Sequence, residues 1–449
     1  MWTDSLGNPV SLQHESSLAG VDDFVLGVIA SEARAVNILA TAVVDEAPLV
    51  QAYAAALHLF AETREAAANA RPFIERALAS TVTATDRESR FVAAVQAWAE
   101  GDIARTVTLL EQQVGDFPRD LVALKLAHYH LFNRGDSPGM LRVALCALPA
   151  AGDVPYLHGM LAFAWEQCHL LEQAEAAARR AISMRRKEPW AHHALAHVML
   201  TQGRIHEGHQ FLAEVSDSWT GLNSFMVTHN WWHQALFALE LDRHDEVLAL
   251  YDSQVWGVAK DYSQDQINAV SLLARLELAG ADVGDRWQDL ADHLLGHLHD
   301  QVLPFLDMQY LYGLARAGRP EAASLLHNIE SHARRAPAAG RDAWQRVCVP
   351  ASRGLLAHAR GDWQDAVDHL GQALPRLTEI GGSHAQRDLF SQVHLDALVR
   401  SGMLAGAQHL LQQQVRGQPE SRRLARQAAA LYQALGLDSV GHELQAGRQ

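Results

Sequence analysis

The chain has 449 residues, and 49% of them are apolar, so it can bury a large core and is too hydrophobic to be disordered. Lys and Arg total 37 against 52 Asp and Glu, a formal charge of −15, and no basic cluster offsets it. That balance predicts neither a nucleic-acid partner nor attachment to an anionic membrane surface. Cys146, Cys168 and Cys348 are odd in number and far apart, which suits a reducing compartment. The opening MWTDSLGNPVSLQHE has no basic start and no apolar run, and no apolar stretch reaches membrane-spanning length. A soluble cytoplasmic protein is the expectation.

Taken in chain order, residues 1–85 read as a helical segment without a fixed register. From residue 86 to 445 apolar residues recur three and four apart, and Ala, Leu, Gln, Glu and Arg dominate, which is helical periodicity. A turn follows one helix and opens the next at Gly101, Gly135, His169 and Gly203, each 34 residues after the last. Weaker units follow around Asp242, Gly280, Gly318, Gly361 and Gly402. The step of 34 resembles the tetratricopeptide repeat. Ala174, Gly208 and Ala366 supply a small residue five places after their turns, and Pro118 and Pro419 close units seventeen places after theirs. The predicted fold is all-α: helical hairpins stacked into one continuous solenoid, or superhelix, over 86–445. ARRAPAAG (333–340) is the expected flexible insertion.

In that repeat, positions 2, 5, 9, 12 and 13 of the first helix line the concave groove. The resemblance therefore turns Trp190, His193, His197, Leu200 and Thr201 inward. Tyr156, Gly159, Phe163, Glu166 and Gln167 are the inner set of the unit before, and His229, Trp232 and Leu236 of the unit after, with His233 at its edge. The i, i+4 spacing of His193/His197 and of His229/His233 puts each pair on one helix face. The alternative is plain core packing, since tryptophan is a frequent core filler. A third such pair, His293/His297, reads as a solvated face. Farther along, Ser383 and Gln386 form a capping box that starts a helix. His384 sits at its positive end with Asp388 one turn on, a candidate acid–base pair, and Arg387 is a candidate anion clamp. An ordinary capped helix with a surface ion pair is the competing account.

AWEQCHLLEQAEAAARRAI, PWAHHALAHVMLTQGRIHEG, THNWWHQALFALEL, ADVGDRWQDLADH and IGGSHAQRD together resemble the tetratricopeptide-repeat protein 38 family over about residues 90–415. The resemblance implies a helical superhelix with a shared histidine-rich set. It brings no settled reaction.

These residues define a small-molecule pocket. His193, His197, His229, His233, His384 and Asp388 are the candidates for chemistry, and Tyr156, Glu166, Trp190, Asn230, Trp232 and Arg387 those for binding. Neither HNWWH nor HALAH carries the glutamate of a zinc-hydrolase motif. The four histidines are still the candidate ligands for a divalent metal, the one cofactor considered. No phosphate loop or nucleophile elbow is present. Whether the chain is an enzyme is left open. The alternative is a non-catalytic adaptor that holds a protein or peptide in its groove.

Overall fold

The computed structural model describes residues 2–446. Among them, regular structure is helical apart from the antiparallel pairing of Trp2–Thr3 with Pro9–Val10 and one bridge between Glu32 and Leu222. The fold is an all-α, tetratricopeptide-like solenoid of helical hairpins.

The turns explain why. At all nine positions read from the sequence, from Gly101 to Gly402, the backbone is left-handed, with φ between 58° and 90°. The next N–H then donates back to the carbonyl five residues earlier. Asp102 bonds Ala97, Arg204 bonds Met199 and Met403 bonds Leu398, each at 2.9 Å. This closure uses up carbonyls that a helix end would otherwise leave open. His169 and Asp242 do the same without being glycine, at a cost of about 1 kcal/mol. Gly203 is constrained twice. Its φ is 71°, and a side chain there would strike the backbone of Gly417–Gln418 and the Pro419 ring. Gly208 lies so close to the Phe237 ring that no Cβ fits.

The chain divides into two compact units: Met1–Leu195 with Ser218–Met226, and Ala196–Asp217 with Val227–Gln449. The division falls inside the unbroken helix Pro189–Thr201. In the first unit, the segment whose register the sequence left open holds a hairpin of Pro48–Leu59 and Ala66–Ala79. Glu62 takes its left-handed turn position. Hairpins of Asp86–Ala99 with Ile103–Asp116, Leu121–Asn133 with Ser137–Ala151, and Pro155–Gln167 with Leu171–Met184 follow. Arg87 pins the first of these. It bonds Asp120 at 2.9 Å and the Pro9 carbonyl at 2.8 Å, while Asp120 also caps the next helix through the Ala123 N–H.

In the second unit the two helices of a hairpin differ in character. Ser263–Leu278 is buried on every side, including Asp265, Gln266, Asn268, Ser271 and Arg275. Its partner Arg286–Leu294 buries only Trp287, Leu290, Ala291 and Leu294, a single stripe. Each fully buried leucine of such a stripe contributes about 1.5–3 kcal/mol. So first helices form an inner layer that can carry buried polar side chains, and second helices form the outer wall.

Two expectations fail here. The 333–340 stretch is not a long insertion, because only Ala336 and Pro337 separate helix Glu321–Arg335 from Ala338–Asp342. His297 is not solvated. It is 7% exposed, bonded to Asp300 at 2.6 Å and stacked on Tyr310. The helix tightens to a 3-10 turn at Leu295–His297, which breaks the register assumed from the spacing.

Candidate functional site

Three histidines of the second unit converge. His197 comes from Pro189–Thr201, and His229 and His233 from Ser224–Glu240. All are at most 2% exposed, and one ring nitrogen of each lies within 4.8 Å of the others. Ring centroids are 4.4 Å apart for His197–His233 and 4.9 Å for His229–His233. Trp232, fully buried, stacks on His229 at 5.1 Å with an 11° interplanar angle.

Burial sets the charge of these rings. Loss of water is the main cause that holds His229 down to about 3 and His233 well below the usual histidine range. Both are therefore neutral at pH 7, and neutral imidazole is the form that binds a metal. Asn268 adds direction. Its amide oxygen lies 3.0 Å from His229 Nδ1 and can only accept, so Nδ1 carries the proton and Nε2 keeps its lone pair. A tetrahedral zinc at 2.0–2.1 Å from nitrogen needs ligand atoms about 3.3 Å apart, so the three rings must close by an ångström or so on a metal.

One turn beyond the histidines, the same two helices open onto a cavity of about 250 Å³. Its lining includes Leu200, Thr201, Leu236, Glu240, Arg275, His384, Asp388, Gln392 and Gln414. That volume equals roughly eight waters of liquid. Gln392 Oε1 and Gln414 Oε1 are buried with no hydrogen-bond partner in the protein. With the Glu240 and Asp388 carboxylates, the walls are rich in acceptors.

Arg275 ties the cavity to the rings. Its guanidinium lies 5.5 Å from the Trp232 ring centroid and donates to the Ala385 carbonyl at 2.6 Å. Burial lowers its pKa to about 10, partly offset by the charges of Asp388 and Glu240. The GGSHAQRD helix is thus brought beside the HNWWH layer within one unit. The capping box predicted at its start is present, with Ser383 accepting from the Gln386 N–H and Gln386 accepting in return.

The C-terminal hairpins cross this side of the unit. Gln418 donates to the Leu200 carbonyl at 3.1 Å. Arg423 and Glu240 form a buried pair at 2.7 Å, and Arg426 bonds Asp242 at 2.8 Å.

The other predicted residues have these contacts. Arg387 donates to the Gly381 and Gly382 carbonyls, so its guanidinium serves the turn. Asp388 accepts from Gln392 at 2.5 Å. Asn230 is fully buried next to His229 in sequence, and Trp231 is half-buried. In the first unit Phe163, Trp190 and His193 form a ring cluster with centroids 4.8–5.1 Å apart. His193 stands one turn before His197 on the same helix. Tyr156 lies under Arg185 at 5.6 Å, and Glu166 accepts from Gln167 at 2.5 Å. Arg275, Glu240 and Arg423 escaped the sequence reading. A lone arginine inside the apolar run SLLARLEL was the one available signal.

No family model matches the chain. Among solved structures, a human IFIT1 dimer with PPP-AAAA is 11% identical, with 94% of this chain and 93% of that chain covered and a TM-score of 0.42. A human IFIT1 dimer with m7Gppp-AAAA is 12% identical, with 90% and 89% covered and a TM-score of 0.37. These neighbours correct the exclusion of nucleic acid drawn from net charge: chains with which this one aligns almost end to end carry PPP-AAAA and m7Gppp-AAAA. The physical reason is that net charge sums over a whole surface and does not fix the sign inside a groove. The likeness assigns no ligand to this chain. No helix among the described residues is long and apolar enough to cross a membrane.

Proposed function

We propose that the second unit binds a small, donor-rich organic molecule in the cavity and a divalent transition metal on His197, His229 and His233. Three buried imidazoles meeting within 4.8 Å carry this reading. Histidines used only as core filler have no need to gather, and apolar side chains would fill the space at lower desolvation cost. Imidazole sets favour zinc, copper, iron or nickel over magnesium or calcium. Hydroxyl or amino groups on the ligand would match the unpartnered Gln392 and Gln414 oxygens. His384 and Asp388, on the cavity wall, are the candidates for moving a proton.

We also propose membership of the tetratricopeptide-repeat protein 38 family. The two stretches that set the resemblance apart from ordinary repeats, HNWWH and GGSHAQRD, are joined through Arg275.

The test is elemental analysis of protein purified without an affinity tag. One transition metal per chain is expected, with none in a His197→Ala/His233→Ala variant that keeps its helicity. Full-length protein that stays metal-free after incubation with excess zinc overturns the metal assignment.

A further inference from the structure

Lysine is scarce in this chain. Of 37 basic residues only Lys125, Lys187 and Lys260 are lysines. Two of them are ordinary ion pairs: Lys187 with Glu32 at 2.8 Å and Lys260 with Asp289 at 2.7 Å. Lys125 differs. Its Nζ is shut off from solvent with no hydrogen-bond partner, and it lies 3.6 Å from the centroid of the Trp190 indole. Trp190 is itself half-buried, so one side of the cover reaches water.

Glu188 completes the arrangement. It is fully buried, and its Oε2 caps helix Pro189–Thr201 by accepting from the Ala191 N–H, while Oε1 has no partner. Gly159 makes the room, because a Cβ there would collide with the Glu188 carboxylate. Phe163 and His193 pack against Trp190. The first unit thus keeps an amine and a carboxyl out of water beside an aromatic wall, each with a polar atom that has no hydrogen-bond partner and each within reach of the other's charge.

We infer that Lys125 is a reactive amine that forms an imine with an aldehyde or ketone carried on a flat apolar body, with Glu188 as the acid. The lysine nitrogen would give its lone pair to the carbonyl carbon. The Glu188 proton would go to the carbonyl oxygen, and the nitrogen would return one proton to the Glu188 carboxylate to give the carbinolamine. Glu188 would then protonate the hydroxyl, which departs as water as the nitrogen lone pair forms the C=N bond, and the second nitrogen proton would restore the Glu188 acid. No oxidant or reductant enters this step. Electrostatics agree with the geometry. Burial lowers the Lys125 pKa to about 8 and raises that of Glu188 to about 8, so near neutral pH the amine releases its proton readily and the acid holds one.

The test is benzaldehyde with sodium cyanoborohydride on the full chain, followed by peptide mapping of the trapped secondary amine. Lys187 and Lys260 are internal controls. Lys125 should take roughly tenfold more label than either, because lowering the amine pKa raises its free-base fraction. Equal labelling of the three, or a preference for the ion-paired two, overturns the inference. Lys125→Arg should keep the cation over the indole and abolish the main adduct. Glu188→Gln should keep the helix cap and slow labelling of Lys125 several-fold; an unchanged rate removes Glu188 from the chemistry.

Discussion

Two buried polar clusters in this protein follow opposite rules. In the first unit Arg87 meets Asp120, opposite charges matched at 2.9 Å and tied to a helix cap and to the Pro9 carbonyl. In the second unit like meets like, with His197, His229 and His233 gathered together. Opposite charges compensate each other's loss of water and hold two helices in register. Rings of one kind have no such reason to assemble, but imidazole nitrogens gathered together can offer lone pairs to a common point.

The largest effect should come from breaking the matched cluster. Asp120→Ala strands the Arg87 charge and should cost about 3–5 kcal/mol in urea unfolding. Zinc affinity of the protein that remains folded should not change. The gathered cluster should answer in reverse. Zinc at a hundred times its Kd should stabilise the native protein by about 2.7 kcal/mol, and His197→Ala/His233→Ala should erase that gain in a melting experiment.

A smaller effect tests the pair that is matched yet borders the cavity. Glu240→Gln should cost about 2 kcal/mol, because Arg423 loses a charge-assisted bond. If the clusters were alike, these three results would be indistinguishable.

Acid sharpens the contrast from the first unit's side. Burial is the leading cause that lowers His128 and His130 to about 3. The folded state then binds fewer protons than the unfolded state between pH 6.5 and about 3. Their neutral burial is harmless above pH 6.5, and stability falls as the pH drops through that window. The slope is about 1.4 kcal/mol per pH unit for each histidine. His128→Gln should flatten the profile by that amount, measured by unfolding at a series of pH values.

Much of this was readable in the sequence where the signal is local. A left-handed turn residue, a small residue five places on and a Ser383–Gln386 capping box each depend on neighbours a few positions away. Leu200, Thr201 and Leu236 line the cavity, as the repeat register implied. The hairpin before residue 85 was illegible because Glu62 takes a turn position usually given to glycine. Arg275, Glu240 and Arg423 were illegible for another reason. Arg275 reaches Ala385 and Arg423 reaches Glu240 across more than a hundred residues, and no periodic pattern encodes such pairings.

The fastening of the C-terminal hairpins has a kinetic meaning. Gln418 on the Leu200 carbonyl, Arg423 on Glu240 and Arg426 on Asp242 span the side where Leu200, Thr201 and Glu240 meet the cavity. For the ligand proposed above, residence time would be governed by how often this clasp springs, so weakening it should speed arrival and departure together and leave the equilibrium between them nearly unmoved.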